Sequence, residues 1–329
     1  MTFLALLTSG PIIIAHRGAS SELPEHTIAA YEKAIEYGSD YIEPDLVITK
    51  DGQLVARHEN EISGTTDVAD RPEFADRKKT KSIDGDKVTG WFTEDFTLAE
   101  LKTLKARERL PKIRPESAKQ DGKFEVPTFR EVLELLRQRN EARKVPVGVY
   151  PETKHSAYFR GIGLPLEEPL IKLLNEFGYG EGSPCFIQSF EVANLKWLKE
   201  RTKVSLIQLV SAAGGPIDGG PSYKEMITPS GLAAISTYAR GIGVEKSLVL
   251  PVKDGALGAP TGLVADAHAA KLLVHVWTLR PEVMFLPRTL VGGSEAEHQA
   301  FFRAGIDGLF SDAPGVSVAA RRTFLGVKR

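Results

Sequence analysis

The chain has a single cysteine, Cys185, among its 329 residues. That excludes an internal disulfide and a cysteine-rich metal site, and it leaves the redox compartment open. An excess of charge of one sign is also missing: 42 Lys and Arg stand against 43 Asp and Glu, a net charge of −1. No global field therefore recruits nucleic acid or an anionic membrane. The short basic cluster Arg77-Lys78-Lys79-Thr80-Lys81 reads as a solvated loop face. Long apolar runs are absent. Met1 to Gly10 is apolar, but far shorter than the roughly 20 residues that span a bilayer. It also lacks the basic start of a signal peptide. The expectation is either a cytoplasmic protein made without a signal or an extracytoplasmic one whose longer leader has been removed. A glycine-rich dinucleotide fingerprint and a P-loop are missing too.

What remains is the composition of a soluble globular protein, 42% hydrophobic and 26% charged, long enough for one large α/β domain or two ordinary ones. Its chemistry starts in Pro11 to Thr27, PIIIAHRGASSELPEHT. Three consecutive isoleucines are too few for a helix, and an apolar β-branched run suits a strand buried on both faces. The run ends in His16-Arg17-Gly18. An imidazole and a guanidinium thus stand at the mouth of a buried strand, with a glycine to let the backbone turn. Thr27 then opens a helix with Ile28, Tyr31, Ala34 and Ile35 on one stripe and Gly38 as its stop.

Tyr41 to Ile48 is the second strand, irregular at Pro44 because proline removes a ladder donor. Alternation points Glu43 and Asp45 the same way. Two carboxylates side by side on a largely apolar strand repel and lose hydration, and a bound cation resolves this. Lys50-Asp51-Gly52-Gln53 is a hairpin-type turn that returns the chain through Leu54 to Arg57 and on to His58.

The ordered set His16-Arg17-Gly18-Ala19, Pro24-Glu25-His26-Thr27, Glu43-x-Asp45 and His58 resembles the glycerophosphodiester phosphodiesterase family, over most of the chain. Two departures are His26, where the family commonly has Asn although its bacterial branch also shows His, and Glu59, where many members have Asp. The resemblance implies an insertion subdomain, taken here as residues 59–126, whose Trp91 and Phe92 either wall the substrate cleft or pack the insertion onto the barrel. A short helix is expected at Leu98 to Lys105. The resemblance also makes Glu152 of Glu152-Thr153-Lys154 the third carboxylate beside Glu43 and Asp45, with Lys154 placed to meet a phosphate.

From Thr128 onward, helical and strand patterns alternate to the final strand, Gly305 to Phe310, which ends in Ser311-Asp312. The count is close to eight β/α units. That predicts a parallel sheet and, at this size, an α/β (β/α)8 TIM barrel over residues 1–329. Catalytic groups of such barrels sit at strand C-terminal ends. His16, Glu43, Asp45, His58, Glu152, Gln188 and Trp277 all fall at or near such ends. The Gly/Pro-rich stretch Gly214 to Ser222 reads as a lip over the site.

These residue types imply a reaction. One divalent cation (Ca²⁺, Mg²⁺ or Mn²⁺ suit all-oxygen ligands) would be held by Glu43, Asp45 and Glu152. Arg17 and Lys154 would stabilise charge growing on the phosphoryl oxygens. Of His16 and His58, one would take the nucleophile's proton and the other protonate the leaving alcohol. Either assignment fits, as do direct attack by water and prior attack by a substrate hydroxyl to give a cyclic phosphate. Gln188, Phe190 and Trp277 would contact substrate, with Tyr158 and Phe159 completing an aromatic pocket. The resemblance implies hydrolysis of soluble glycerophosphodiesters, such as glycerophosphocholine or glycerophosphoethanolamine, to sn-glycerol 3-phosphate and an alcohol. The expected partners are that small molecule alone, without nucleic acid or stable membrane association, for a monomer or homodimer. The enzymatic rival is a phospholipase-D-like hydrolase of lysophospholipids or sphingomyelin. A dinuclear amidohydrolase is disfavoured because no His-x-His ends an early strand. A barrel kept only for binding would have lost a histidine or an acid, and none is lost.

Overall fold

The isoleucine run forms β1 (Ile12–His16), and Ile13, Ile14 and Ala15 are wholly buried, as a strand covered on both faces requires. The computed structural model describes residues 10–290 and 293–327, so the apolar start lies outside the described residues except for Gly10. β2 comes in two pieces, Tyr41–Glu43 and Asp45–Ile48, interrupted at Pro44. β3 breaks in the same way, into Gly148–Val149 and Glu152–Thr153, on either side of Tyr150-Pro151. The remaining barrel strands are β4 (Phe186–Ser189), β5 (Ser205–Val210), β6 (Gly241–Glu245), β7 (Leu273–Leu279) and β8 (Gly308–Ser311). Each pairs in parallel with the next, and β8 pairs with β1, so the eight strands close on themselves.

A helix follows each strand: α1 (Ile28–Tyr37), α2 (Phe129–Asn140), α3 (Glu167–Glu176), α4 (Val192–Lys199), α5 (Pro229–Ile235), α6 (Leu263–Ala269), α7 (Ser294–Arg303) and α8 (Pro314–Phe324). The predicted boundaries of α1 hold for local reasons. The Thr27 hydroxyl caps the start by accepting from the Ala30 amide, and Gly38 ends the helix in the left-handed region. Thr128 and Glu131 form a capping box at the start of α2. Inside the barrel, Ile14, Tyr41, Tyr150, Phe186, Ile207 and Phe310 pack into a solid plug. His275 is buried against it, hydrogen-bonded to the Tyr150 hydroxyl at 2.8 Å.

Between Ala56 and Phe129 the chain leaves the barrel. The basic cluster is not a loop: Lys79–Ile83 pairs with Asp86–Gly90 in an exposed hairpin turning at Asp84-Gly85. Trp91 and Phe92 are buried, with the Trp91 indole donating to the Phe74 carbonyl at 2.6 Å, so they pack the insertion instead of walling a cleft. The helix expected over 98–105 stops after one turn, Leu98–Leu101. Next to β1, Gly18 has a φ of +89°, and a Cβ there would lie 2.6 Å from the Ala30 backbone carbon. Glycine is required for the chain to turn tightly over α1 after presenting Arg17.

Candidate active site

The ladder decides which side chains meet. His16 pairs with Glu43, Asp45 with Glu152, and Glu152 with Gln188, so strand register alone sets these groups level at the barrel's C-terminal end. Of the ten residues expected to form the site, nine border one cleft of about 250 Å³: His16, Arg17, Glu43, His58, Glu152, Lys154, Gln188, Phe190 and Trp277. The tenth, Asp45, is buried against Arg17 and His26.

Glu43, Asp45 and Glu152 each bring an oxygen within 4.8 Å of the others. All three are buried, and the crowding shows in their protonation. Burial, then the charges of Asp45 and Glu152, lifts the Glu43 carboxyl well above its usual range. Burial also lifts Glu152 to about 7, against the pull of Lys154. Asp45 goes the other way. Burial opposes its ionisation, but Arg17, His58 and a hydrogen bond from His26 hold it well below its usual range. Around the trio stand the Arg17 amide, 2.9 Å from Glu43, the Gln188 amide nitrogen, 3.1 Å from Glu43, and Lys154 Nζ, 2.7 Å from Glu152. Asp45 Oδ1 and Gln188 Oε1 are buried without a hydrogen-bond partner. Orphaned oxygens beside an all-carboxylate donor set fit a hard divalent cation.

Both histidines are built to one plan. His16 Nδ1 lies 2.5 Å from Asp312 Oδ1, and His58 Nδ1 lies 2.5 Å from Glu59 Oε1. A carboxylate only accepts, so Nδ1 of each ring carries the proton and Nε2 keeps its lone pair. Lys154 donates to His58 Nε2 at 3.2 Å, which agrees with that tautomer. Burial, reinforced by Arg17, lowers His16, and burial with Arg17 and Lys154 lowers His58 to about 3, so both rings are neutral at pH 7. His26 is a third, wholly buried histidine, which donates to Asp45 and accepts from the Tyr31 hydroxyl. Its role is to hold a carboxylate still.

Five residues around the site have no role in the sequence reading: Asp312, Glu25 (although it stands in the Pro24-Glu25-His26-Thr27 motif), Arg109, Arg114 and Arg280. Arg114 and Arg280 both bind Asp312, at 2.5 and 3.1 Å. Arg109 bridges Glu59 and Glu25, at 2.7 and 2.6 Å, and Glu25 in turn holds Arg17. The position of Asp312 at the end of the last strand was its one local signal. The insertion arginines had none. Two aromatic assignments also change. Phe159 is wholly buried, and Tyr158 donates its hydroxyl to Glu94, so neither borders the cleft.

Asp312→Asn tests the bracing. It replaces a charged group that can only accept by an amide that can also donate, so the His16 tautomer is no longer fixed, and kcat should fall at least about a hundredfold while cation affinity stays unchanged. A near-parental kcat would show that His16 does not depend on this partner.

Comparison with known proteins follows the same outline. The glycerophosphoryl diester phosphodiesterase family matches residues 16–316. The chain is 39% identical over 328 residues to glycerophosphodiester phosphodiesterase GDPD6 of Arabidopsis thaliana, covering 94% of this chain and 86% of that one. It is 28% identical to the glycerophosphodiester phosphodiesterase of Haemophilus influenzae, covering 95% and 90%. A solved structure from Silicibacter pomeroyi, described as a glycerophosphoryl diester phosphodiesterase, shares the fold with a TM-score of 0.71 at 21% identity, over 99% and 98% of the two chains. A phosphodiesterase from Oleispira antarctica, solved with the product sn-glycerol-3-phosphate, superposes with a TM-score of 0.64 at 20% identity, over 96% and 98%. With a match spanning residues 16–316 and a relative 39% identical along nearly its whole length, this chain belongs to the glycerophosphoryl diester phosphodiesterase family of enzymes.

Proposed function

We propose that the cleft hydrolyses soluble glycerophosphodiesters to sn-glycerol 3-phosphate and an alcohol, with Glu43, Asp45 and Glu152 holding one divalent cation, Ca²⁺ or Mg²⁺. The observation that carries this reading is the convergence of that carboxylate trio, two carboxylate-braced neutral histidines and two buried cations in one cleft. The product bound in the Oleispira antarctica relative supports the same outcome. Bound there, the cation would supply positive charge to a phosphoryl oxygen. Arg17 and Lys154 add two more charges against the phosphoryl group. Burial works against Lys154's charge, but Glu152 and Asp45 hold its ammonium protonated. His16 offers a free Nε2 lone pair, as a general base requires, and that of His58 is shared with Lys154. The ring that accepts the nucleophile's proton becomes an imidazolium stabilised by its own carboxylate, and the other must first take a proton from solvent at Nε2, favoured by the negative charge of the bound diester, before it gives that proton to the leaving alcohol. Release of sn-glycerol 3-phosphate from glycerophosphocholine should stop in excess chelator and return with Ca²⁺ or Mg²⁺. Full turnover by metal-free protein would contradict the cation's part.

One observation favours the second reading, hydrolysis of lysophospholipids. Ile217, Val252, Val283 and Met284 are each half or more exposed, on the loops that follow β5, β6 and β7 around the mouth of the barrel. Exposed apolar loop residues at a cleft mouth are what a lipid surface would meet. They are few, and the chain's net charge of −1 adds no pull toward an anionic bilayer. The soluble diester is therefore expected to win when kcat/KM for glycerophosphocholine is compared with that for lysophosphatidylcholine in vesicles. Faster cleavage of the lysolipid would establish the second reading.

A further inference from the structure

A second cavity, of about 190 Å³, adjoins the catalytic cleft. Glu152, Lys154 and Phe190 border both spaces. A chain of rings leads from one to the other: Trp277 meets Phe190 edge-on at 5.8 Å, and Phe190 meets Tyr223 at 6.2 Å. The loop between β5 and α5 lends Gly215 and Ile217 to the rim, so the predicted lip lies over this cavity. It is smaller than the roughly 300–1,000 Å³ of a drug-sized pocket, and suits a head group of a few atoms.

Its charges are unequally matched. Lys154 is committed to Glu152 at 2.7 Å, and His155 to Asp84 at 2.5 Å. Glu191 has no such partner. Its carboxylate accepts from the Ala157 amide at 2.7 Å and joins no ion pair among the described residues, although the residue is only 4% exposed. Burial lifts it to about 7. A buried carboxylate without a cation, beside two aromatic rings, lacks the one thing that would balance it.

We propose that this cavity is the subsite of the leaving alcohol and that it takes an ammonium group, with Glu191 supplying the charge and Tyr223 the ring face, since Lys154 already stands over Phe190 at 5.8 Å. The proposal rests on the reaction proposed above, because the phosphoryl group must then occupy the adjoining cleft. Amino-alcohol diesters should be favoured over diesters of uncharged alcohols for a reason located at Glu191. That residue is a specificity determinant and takes no part in the bond-breaking step.

The test compares glycerophosphocholine with the glycerophosphodiester of 3,3-dimethylbutanol, the uncharged carbon isostere of choline. Release of sn-glycerol 3-phosphate at pH 8.5 is the readout. The parent enzyme should prefer the charged ester about tenfold in kcat/KM, within the range of a desolvated cation on aromatic faces. Glu191→Gln keeps an oxygen for the Ala157 amide. It should bring the ratio close to one by slowing the choline ester alone. Tyr223→Leu should reduce the ratio in the same direction. Equal rates for the two esters in the parent, or an equal loss on both in Glu191→Gln, would overturn the subsite while leaving the reaction standing. Turnover of neither ester would overturn the reaction itself, and the subsite with it.

Discussion

Glu43, Asp45 and Glu152 are pressed together by backbone ladders that take no account of their charge. Three oxygens within 4.8 Å in a buried cleft cannot all ionise without help. The surrounding groups read as responses to that repulsion. Arg17 and His26 hold Asp45, Gln188 and the Arg17 amide hold Glu43, and Lys154 holds Glu152. Even so, Glu43 and Glu152 remain displaced toward their protonated forms, and Asp45 Oδ1 is left without a hydrogen bond. The help stops short of neutralising the site, which fits a divalent cation as the missing partner. The breaks at Pro44 and Pro151 belong to the same arrangement, since they relax the two strands where the acids stand.

The histidines extend this frame into the insertion. The carboxylate beside His16 is held by Arg114 and the one beside His58 by Arg109, five residues apart in one segment. The insertion therefore reaches both histidines proposed for proton transfer, and through Glu25 it also reaches Arg17. Packing of Trp91 and Phe92 fixes the body of the insertion, so that these long side chains arrive with little freedom left to lose.

Much of this could be read in the sequence because it is local. The Thr27 and Thr128 caps, the stop at Gly38, the hairpin at Asp51-Gly52 and the same-face placement of Glu43 and Asp45 each depend on a few neighbouring residues. So does the position of each motif at a strand end. The unreadable part consists of contacts between residues far apart. Asp312 meets His16 across 296 positions, and Arg114 meets Asp312 across 198. Neither pairing leaves a periodicity or a spacing to find. Tyr158 and Phe159 differ, because they sit on a short helix, Ser156–Gly161, that buries Phe159 and sends the Tyr158 hydroxyl to Glu94. The closing helix α8 has a local signal of its own, a proline at its first turn just after the last strand.

In the proposed reaction the carboxylate trio holds protons until a cation displaces them. Glu43 and Glu152 are raised in the cation-free protein, so part of the site is protonated at pH 7 and must ionise on binding. Titration calorimetry of Mg²⁺ or Ca²⁺ into the metal-free protein, repeated in two buffers of different ionisation enthalpy, counts those protons. One cation per chain should bind with net release of protons at pH 7, and that release should fall away as pH rises. Binding without proton release, or no binding at all, would contradict it.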